Sequence, residues 1–337
     1  MATAGSIRIG VVGAGALGYH HVRLLRDVAG AQLVGFHDVR PERASAVSAE
    51  LGVRAFTDLE ELLDAVDAAT IVVPTPAHYQ VAKAALTRGK HLLIEKPIAA
   101  TLNEADELLA IARRTGVLIQ TGHVERFNRA IRAALPYVEK ARFIESDRLA
   151  PFNPRGSDVA VVLDLMIHDI DLVRTLVGGR VSDVSAVGVP VLTPFVDIAN
   201  ARLRFEDGAV ANITASRVSR ERMRKVRIFQ ESGYLSLDLG SGDGEFFRLR
   251  RDVDFGELAK GAQSVEAFVE RVSLEAPEGE PLRLEFESFL SAVRGATPVA
   301  VTGEDGREAL AVALNIVREI ERTLPSLAAG THVAAGA

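Results

Sequence analysis

The chain has 337 residues, of which 48% are hydrophobic and 25% charged, and its formal net charge is −6. This length exceeds what one hydrophobic core usually supports, so we expect two domains. The acidic balance argues against a nucleic-acid surface, and the absence of cysteine excludes disulfides, thiolate metal sites and cysteine nucleophiles. No apolar run is long enough to span a bilayer and no secretory signal is recognisable. We therefore expect a cytoplasmic protein that binds neither nucleic acid nor membrane.

The first 120 residues alternate short apolar runs with helical patterns. Strands are predicted at Ile7–Val12, Ala31–His37, Ala69–Val73, His91–Ile94 and Val117–Thr121, and helices at about 17–27, 41–51, 58–65, 78–88 and 102–115. Apolar strands without strict alternation are typical of a parallel sheet that is covered on both faces. Residues 1–122 are therefore predicted to form an α/β domain with a doubly wound parallel sheet.

The pattern changes after about residue 122. A helix is predicted near 128–140, a strand near 142–149 and a helix at about 160–177. Between 181 and 250, strands are separated by short glycine and aspartate turns, which favours a mostly antiparallel sheet. Two helices, near 281–294 and 304–323, close the chain. Residues 123–330 are predicted to form an α+β domain with a large, open, mostly antiparallel sheet, and its last helices are free to pack back on the first domain.

A glycine-rich turn, Gly13-Ala14-Gly15-Ala16-Leu17-Gly18, follows the first predicted strand and opens the first helix. In such a turn the first glycine permits the bend, the second lets the backbone approach a pyrophosphate, and the third lets the helix pack close to the strand. The pyrophosphate then binds free N–H groups at the positive end of the helix. The turn alone is a weak signal, but its position between strand and helix strengthens it. We predict a Rossmann domain that binds a dinucleotide through Gly13, Gly15, Ala16, Leu17 and Gly18.

Asp38 ends the second predicted strand, about 20 residues after Gly18. A carboxylate at this position accepts hydrogen bonds from the adenosine ribose hydroxyls and repels a 2′-phosphate. NAD is therefore predicted as the cofactor in preference to NADP, although Arg40 and Arg43 lie close in sequence and weaken that preference.

Two further stretches follow predicted strands, at the edge where an open α/β sheet presents its ligand crevice. They are Val73-Pro74-Thr75-Pro76-Ala77-His78 and Glu95-Lys96-Pro97. A lysine at a strand end is usually a solvated charge, but this one lies at the nicotinamide end of the predicted sheet. We assign cofactor contacts to Pro74, Thr75, His78, Glu95 and Lys96.

On the predicted helix 160–177, Asp164, His168 and Asp171 fall on one face. A carboxylate one turn from an imidazole can orient it, and histidine suits the removal of a hydroxyl proton while hydride leaves to nicotinamide. Lys96 could bind the same oxygen and stabilise its developing negative charge. We predict Lys96, Asp164 and His168 as the catalytic residues and no metal site. The base is either Lys96 or His168, and the competing interpretation is that Asp164 and His168 only cap an amphipathic helix.

Over nearly its whole length the chain resembles the Gfo/Idh/MocA oxidoreductase family. The resemblance rests on the glycine turn, on Gly89-Lys90-His91 leading to Glu95-Lys96-Pro97, and on Asp164-x-x-x-His168-x-x-Asp171. It implies NAD-dependent oxidation of an alcohol, a Rossmann domain, and a C-terminal domain whose open sheet commonly serves as an oligomer interface. It also implies that Lys96 touches the reacting hydroxyl and that Asp164 and His168 complete the catalytic set. A homodimer or homotetramer assembled through the open sheet is expected.

Within that family, the stretches Gly122–Asn128 and Asp164–Asp171 are similar to a subgroup that oxidises the 3-hydroxyl of UDP-N-acetylglucosamine. The resulting 3-keto sugar feeds 2,3-diamino sugars of lipid A-type glycans. Val73 and Met166 stand where the wider family usually has threonine and glycine, which loosens any transfer of substrate from inositol- or glucose-type relatives.

A UDP-sugar carries a diphosphate and several hydroxyls, so its site requires cations and side-chain amides. We predict substrate contacts from Lys96, Glu125, Arg126, Asn128, Arg155, Asp164, His168 and Arg217. The basic stretch Arg217–Arg227 is either a local anion site or a solvated face. Two alternatives stay open: dehydrogenation of a free, inositol-type polyol, and a non-catalytic dinucleotide-sensing regulator.

Overall fold

The computed structural model describes residues 5–154, 156, 159–250 and 268–323. Its first part alternates strands and helices: β1 Ile7–Val12, α1 Ala16–Leu25, β2 Ala31–His37, α2 Pro41–Leu51, β3 Ala55–Phe56, α3 Leu59–Ala65, β4 Ala68–Ile71, α4 Thr75–Thr87, β5 His91–Glu95, α5 Leu102–Thr115 and β6 Ile119–Gly122. The six strands pair in parallel in the order β3-β2-β1-β4-β5-β6. This confirms the doubly wound Rossmann sheet, and it adds the two-residue strand β3, which the sequence pattern did not predict.

Local signals set the ends of several helices in this sheet. The Thr101 hydroxyl accepts from the Glu104 backbone N–H while the Glu104 carboxylate accepts from that of Thr101, so a reciprocal capping box starts α5. Pro41 occupies the first position of α2, and Gly52 ends that helix with φ +65°. A residue with a side chain is strained in this left-handed conformation, which suits glycine.

The second part begins with the 3₁₀ turn Val124–Phe127, helix α6 Arg129–Ala134, the 3₁₀ turn Leu135–Tyr137 and strand β7 Phe143–Leu149. A π-helical segment, Val162–Met166, runs into α7 Ile167–Val177. The strands that follow are β8 Val181–Val189, β9 Ile198–Phe205, β10 Val210–Ser216, β11 Met223–Gln230, β12 Gly233–Asp238, β13 Asp243–Leu249 and β14 Val269–Ser273, and the last helices are α8 Pro281–Val293 and α9 Gly303–Thr323.

The predicted continuous helix near 128–140 is wrong, because α6 ends at Ala134. Pro136 lies in the 3₁₀ turn that follows. Proline has no backbone N–H, and its ring clashes with the preceding helical turn, so the regular α-helix stops there.

The second sheet has eight strands in the order β14-β13-β12-β11-β7-β10-β9-β8. All of its pairs are antiparallel except β7 with β10, as the prediction of a mostly antiparallel sheet requires. Inward and outward residues alternate along its strands: on β9, Ala199, Ala201, Leu203 and Phe205 are buried and their neighbours are exposed. One face of the sheet therefore packs on helices and the other is open.

The last two helices join the two parts of the molecule. Phe286, Phe289 and Leu290 of α8 lie in the hydrophobic core beneath β1 and α1. Leu310 of α9 packs in the other Rossmann core, whereas Ile316 and Ile320 pack beneath the eight-stranded sheet. None of the described helices combines the length and the apolar character that are needed to cross a bilayer.

Candidate active site

Three glycines shape the turn between β1 and α1. Gly13 has φ +94°, and a Cβ there would lie 2.6 Å from the carbonyl oxygen of Val72, while a Cβ at Gly18 would overlap the carbonyl of Gly13. These glycines let the turn bend and let α1 approach β1. A Cβ at Gly15 would meet only the Arg40 guanidinium, at 3.7 Å, so the space in front of the turn is open.

The N-terminus of α1 faces that space with backbone donors. Gly15 is the N-cap residue, no side chain caps the helix, and its first turn contains no acidic residue. Uncapped N–H groups at the positive end of a helix bind a pyrophosphate. The turn, including the backbone of Ala16 and Leu17, therefore fits a dinucleotide.

Asp38 lies just beyond β2 and ties that strand to the glycine turn. Its carboxylate accepts hydrogen bonds from the backbone N–H of Ala14 at 2.8 Å and from the backbone N–H and Nε of Arg40 at 3.0 Å. Burial acts to raise the pKa of Asp38, but these donors outweigh it and hold the pKa below its usual value. Arg43 donates to the carbonyl oxygen of Ala14 at 2.7 Å. An ionised carboxylate thus stands where this fold binds ribose hydroxyls, with two arginines beside it.

His78 holds two loops of the crevice together. One ring nitrogen, Nδ1, lies 2.8 Å from the carbonyl oxygen of Pro97, and the other, Nε2, lies 2.9 Å from that of Val73. The side chain is buried, and burial lowers the pKa of His78. A neutral imidazole has one N–H, so it donates to one of these carbonyl oxygens and lies against the other, between the segments that carry Pro74, Thr75 and Lys96.

Lys96 and Asp164 meet across the crevice. The Lys96 ammonium donates to the backbone carbonyl oxygen of Asp164 at 2.5 Å and lies 3.4 Å from carboxylate oxygen Oδ1. Both side chains are partly exposed, at 15% and 28%. A cation therefore stands at the end of β5, open to the crevice and held by two oxygens of one residue.

The predicted helical face of Asp164, His168 and Asp171 requires correction. Asp164 lies in the π-helical segment, whose hydrogen bonds reach five residues along the chain rather than four, so the turn holds an extra residue. Among the described residues no hydrogen bond joins Asp164 to His168. Asp171 is buried and accepts two hydrogen bonds from Arg126, at 2.7 and 2.6 Å. The carboxylate of Asp164 thus faces Lys96, and that of Asp171 serves a different pair.

His168 lies half-buried at the start of α7, beside a second histidine, His123. Their ring centroids are 6.3 Å apart and the rings are perpendicular. Burial and the nearby charges of Lys96 and Arg148 hold the pKa of His168 well below its ordinary value. His168 is therefore a neutral imidazole at neutral pH and is able to accept a proton.

Glu125 and Asn128 are engaged inside the protein. The Glu125 carboxylate accepts from Arg148 at 2.8 Å, and Arg148 also binds the buried Asp169 at 2.6 Å. Asn128 caps α6 through the backbone N–H of Ala130 and donates to the carbonyl oxygen of Leu239. Both side chains satisfy buried partners within the protein, and their contact with substrate stays a prediction.

Two of the arginines that were predicted to contact substrate also have partners inside the protein. Arg126 pairs with Asp171 and lies 3.5 Å from Asp305. Arg217 is buried, donates to the carbonyl oxygens of Gly156 and Val159, and lies 3.6 Å from Asp197. These guanidiniums stabilise the loops around the site. Arg155 lies outside the described residues.

Two residues near His168 were not among the predicted site residues. His123 is buried and has no hydrogen-bond partner for either ring nitrogen among the described residues, although it belongs to the stretch that suggested the subgroup. Arg224, the second residue of β11, is 43% exposed, and its charge contributes to the lowered pKa of His168. The basic stretch Arg217–Arg227 was the signal for Arg224, but spacing alone could not tell which of its cations faces the crevice.

Comparison with known proteins agrees with this geometry. Residues 7–123 match the model described as an oxidoreductase family with an NAD-binding Rossmann fold, which defines the class as NAD-binding oxidoreductases. Residues 140–236 match the GFO/IDH/MocA C-terminal domain. The chain belongs to the GFO/IDH/MocA family, and its cofactor is NAD.

Several relatives align over nearly the whole chain. A UDP-N-acetylglucosamine 3-dehydrogenase of Acidithiobacillus ferrooxidans is 38% identical over 94% of this chain and 98% of its own. Its solved structure superposes with a TM-score of 0.85 at 37% identity, covering 94% of this chain and 98% of that one. A myo-inositol 2-dehydrogenase of Thermotoga maritima is 28% identical over 94% of this chain and 96% of its own.

Proposed function

We propose that this protein oxidises the 3-hydroxyl of UDP-N-acetylglucosamine to a ketone, for the synthesis of 2,3-diamino sugars. The observation that carries the chemistry is the contact of the Lys96 ammonium with two oxygens of Asp164, near the neutral imidazole of His168, whose pKa is held low by burial and by the charge of Lys96. The choice of sugar is supported by the 38% identity to the UDP-N-acetylglucosamine 3-dehydrogenase. When bound, NAD supplies the hydride acceptor.

Each of the three catalytic residues has one role. His168 takes the hydroxyl proton, because a neutral imidazole has a free lone pair for it. The Lys96 ammonium binds the same substrate oxygen and stabilises the negative charge that grows as the proton leaves. Asp164 holds Lys96 in place through its carbonyl oxygen and its carboxylate.

The diphosphate of the substrate requires a cation that is not already neutralised. Arg126 and Arg217 are committed to buried carboxylates, so they do not fill this role. Arg224 is half exposed, on the face of β11 that carries the buried Val226, and lies 3.8 Å from Glu125. We assign Arg224 to the diphosphate, because a guanidinium binds phosphate oxygens with paired hydrogen bonds.

The test is to incubate the purified protein with NAD and, separately, UDP-N-acetylglucosamine, free N-acetylglucosamine, myo-inositol and scyllo-inositol. NADH is followed by absorbance and the ketone by mass, because formation of the keto sugar is unfavourable at equilibrium. We expect turnover of the UDP-sugar alone.

Turnover of an inositol without the UDP-sugar would replace the proposal with polyol oxidation. Binding of NAD with no turnover of any alcohol would favour the dinucleotide-sensing regulator. The free sugar is the matched control for the diphosphate, since it presents the same 3-hydroxyl.

We also propose that two copies of the chain associate through the open face of the eight-stranded sheet. On that face Phe143, Phe229, Tyr234 and Phe247 form a row across four adjacent strands, with successive ring centroids 5.7, 5.4 and 4.7 Å apart. Val187 and Val189 of β8 are exposed on the same face, at 57% and 48%. An apolar face of this kind is a liability in a monomer. Light scattering should give at least twice the mass of one chain, and a monomer would contradict the proposal.

A further inference from the structure

A second group of ionisable side chains lies behind Lys96, on the face of the Rossmann sheet that α1 and α8 cover. Glu95 is the last residue of β5, His21 lies on α1 and Glu285 on α8, and all three are buried. We call these three residues the buried ionisable cluster. The proposed catalytic roles do not use these side chains, although Glu95 was predicted to contact the cofactor. Burying ionisable groups is costly unless they are paired or neutral.

A glycine on the neighbouring strand leaves space for the Glu95 side chain of this cluster. Glu95 is in register with Gly122 of β6, and a Cβ at Gly122 would lie only 3.0 Å from the carboxyl carbon of Glu95. Any larger residue at 122 would therefore crowd this carboxylate. Glycine at this position leaves room for the Glu95 carboxylate against the face of the sheet.

Glu95 has partners on both sides. Its Oε1 lies 3.3 Å from Nε2 of His21, and its Oε2 accepts from the backbone N–H of Lys96, also at 3.3 Å. Burial acts to raise the pKa of Glu95, but His21 and Lys96 outweigh it and hold the pKa below its usual value. Glu95 is therefore a carboxylate that holds the backbone of the lysine at the active site.

The surroundings of the Glu285 carboxyl differ from those of Glu95. Neither of its carboxyl oxygens has a hydrogen-bond partner among the described residues. The charged groups near it are the carboxylates Glu95 and Asp171, and the amide of Gln120 binds its backbone carbonyl oxygen rather than its side chain. Burial and these two carboxylates raise the pKa of Glu285 well above its usual value. The Glu285 carboxyl is thus buried beside two carboxylates and has no cationic partner among the described residues, so it keeps its proton.

We propose that Glu285 stays a neutral acid in this cluster, while Glu95 stays a carboxylate that positions Lys96. Glu95 is a positioning residue, because it acts on the substrate only through Lys96. This role of Glu95 rests on the proposed function, whereas the protonation of Glu285 does not.

The first experiment is an infrared spectrum of the protein without substrate at neutral pH. We expect the carbonyl stretch of a protonated carboxylic acid in the wild-type protein and its loss in Glu285→Gln. Glu287→Gln, two residues along the same helix and less buried, is the matched control and should keep the band. A wild-type spectrum without the band, or a band that survives in Glu285→Gln, would overturn the proposal.

The second experiment measures Glu95→Gln with the substrate that the wild-type protein turns over. We expect kcat to fall about 10²-fold with little change in KM, since a displacement of about 1 Å at a reacting group costs that much. An unchanged kcat, or a loss that appears in KM instead, would remove Glu95 from the positioning of Lys96. If no substrate is turned over at all, the proposed function fails, and the infrared result still decides the state of Glu285.

Discussion

The ammonium of Lys96 and the backbone carbonyl oxygen of Asp164 are joined by a 2.5 Å hydrogen bond, although the two residues are 68 positions apart. One stands at the end of a Rossmann strand and the other in a π-helical turn that precedes α7. π-helical turns are rare and are frequently found at functional sites. The contact therefore links the cofactor side of the crevice to the helix that carries His168.

The first prediction concerns this contact. Lys96→Met should lower kcat by about 10²–10³-fold, the usual cost of removing one group that stabilises charge in the transition state. Lys90→Met is the matched control, because Lys90 precedes the same strand and its ammonium donates to the carbonyl oxygen of Val66, away from Asp164. NADH formation under saturating substrate measures both variants. Equal losses of kcat in the two variants would contradict the role of Lys96, because a lysine at either end of this strand would then affect only folding.

The second prediction is the pH dependence of turnover. Protonation of His168 removes the base, and its pKa is held well below the ordinary value of 6.5 by burial, Lys96 and Arg148. The rate should therefore stay level as the pH falls through 6.5 and decline only at lower pH. Arg224→Gln removes one of the opposing positive charges, so the decline should begin at a higher pH than in the wild-type protein. A decline centred at 6.5 in both would refute this role of His168.

The third prediction separates structural from substrate-binding arginines. Arg126→Met leaves Asp171, whose side chain is 1% exposed, without its cation. Breaking a buried pair in this way costs about 3–5 kcal/mol, so the free energy of unfolding should fall while KM for the UDP-sugar stays unchanged. Denaturant titration and initial rates measure the two quantities.

Arg224→Gln is the counterpart of that variant. The Arg224 side chain is half exposed, so its loss should change the free energy of unfolding by less than about 0.5 kcal/mol. We expect KM for the UDP-sugar to rise, because Arg224 is assigned to the diphosphate. The reverse pattern in the two variants would return Arg126 to the substrate site and remove Arg224 from it.

The fourth prediction concerns Asp197, which anchors the loop after β8. Its carboxylate accepts hydrogen bonds from the backbone N–H groups of Val191, Leu192 and Thr193 at 2.7–2.9 Å. Burial acts to raise the pKa of Asp197, but these donors outweigh it and lower the pKa below 3.8. Asp197→Asn should therefore lower the free energy of unfolding by about 1–3 kcal/mol.

The pH dependence of that effect has a definite sign. A carboxyl whose folded pKa is lowered stabilises the protein above its unfolded pKa, and this stability is lost as the pH falls through the folded value. The difference between wild type and Asp197→Asn should be constant near neutrality and shrink below about pH 3.8. Asp183→Asn, at an exposed position of β8, is the control and should show no such trend. A difference that does not change with pH would contradict the argument.

The fold was largely predictable, because its signals are local. Apolar runs, the glycine turn and the capping box of Thr101 and Glu104 each act within a few residues of sequence. Pro136 also signals the break after Ala134, but the helical periodicity of the stretch favoured a longer helix. Strand β3 was missed because two residues carry no periodicity of their own, and only pairing with β2 defines them.

The site was predictable only in part, for the opposite reason. Lys96 follows a strand and His168 lies on a helix, and the sequence indicates both elements. Whether an arginine is free depends on carboxylates that are distant in sequence: Asp171 is 45 positions from Arg126. Composition shows that arginines are present, but only the folded chain shows which of them are already neutralised.

Helix α8 has a consequence for how the protein is made. Phe286, Phe289 and Leu290 complete the core under β1, so the nucleotide-binding half depends on apolar side chains that are synthesised more than 150 residues after β6. Domains usually fold in order as they leave the ribosome. Here the first half emerges with an uncovered apolar face and waits through the synthesis of more than 150 residues before α8 can cover it. The newly made N-terminal half is therefore the stage at which this protein most needs protection from aggregation.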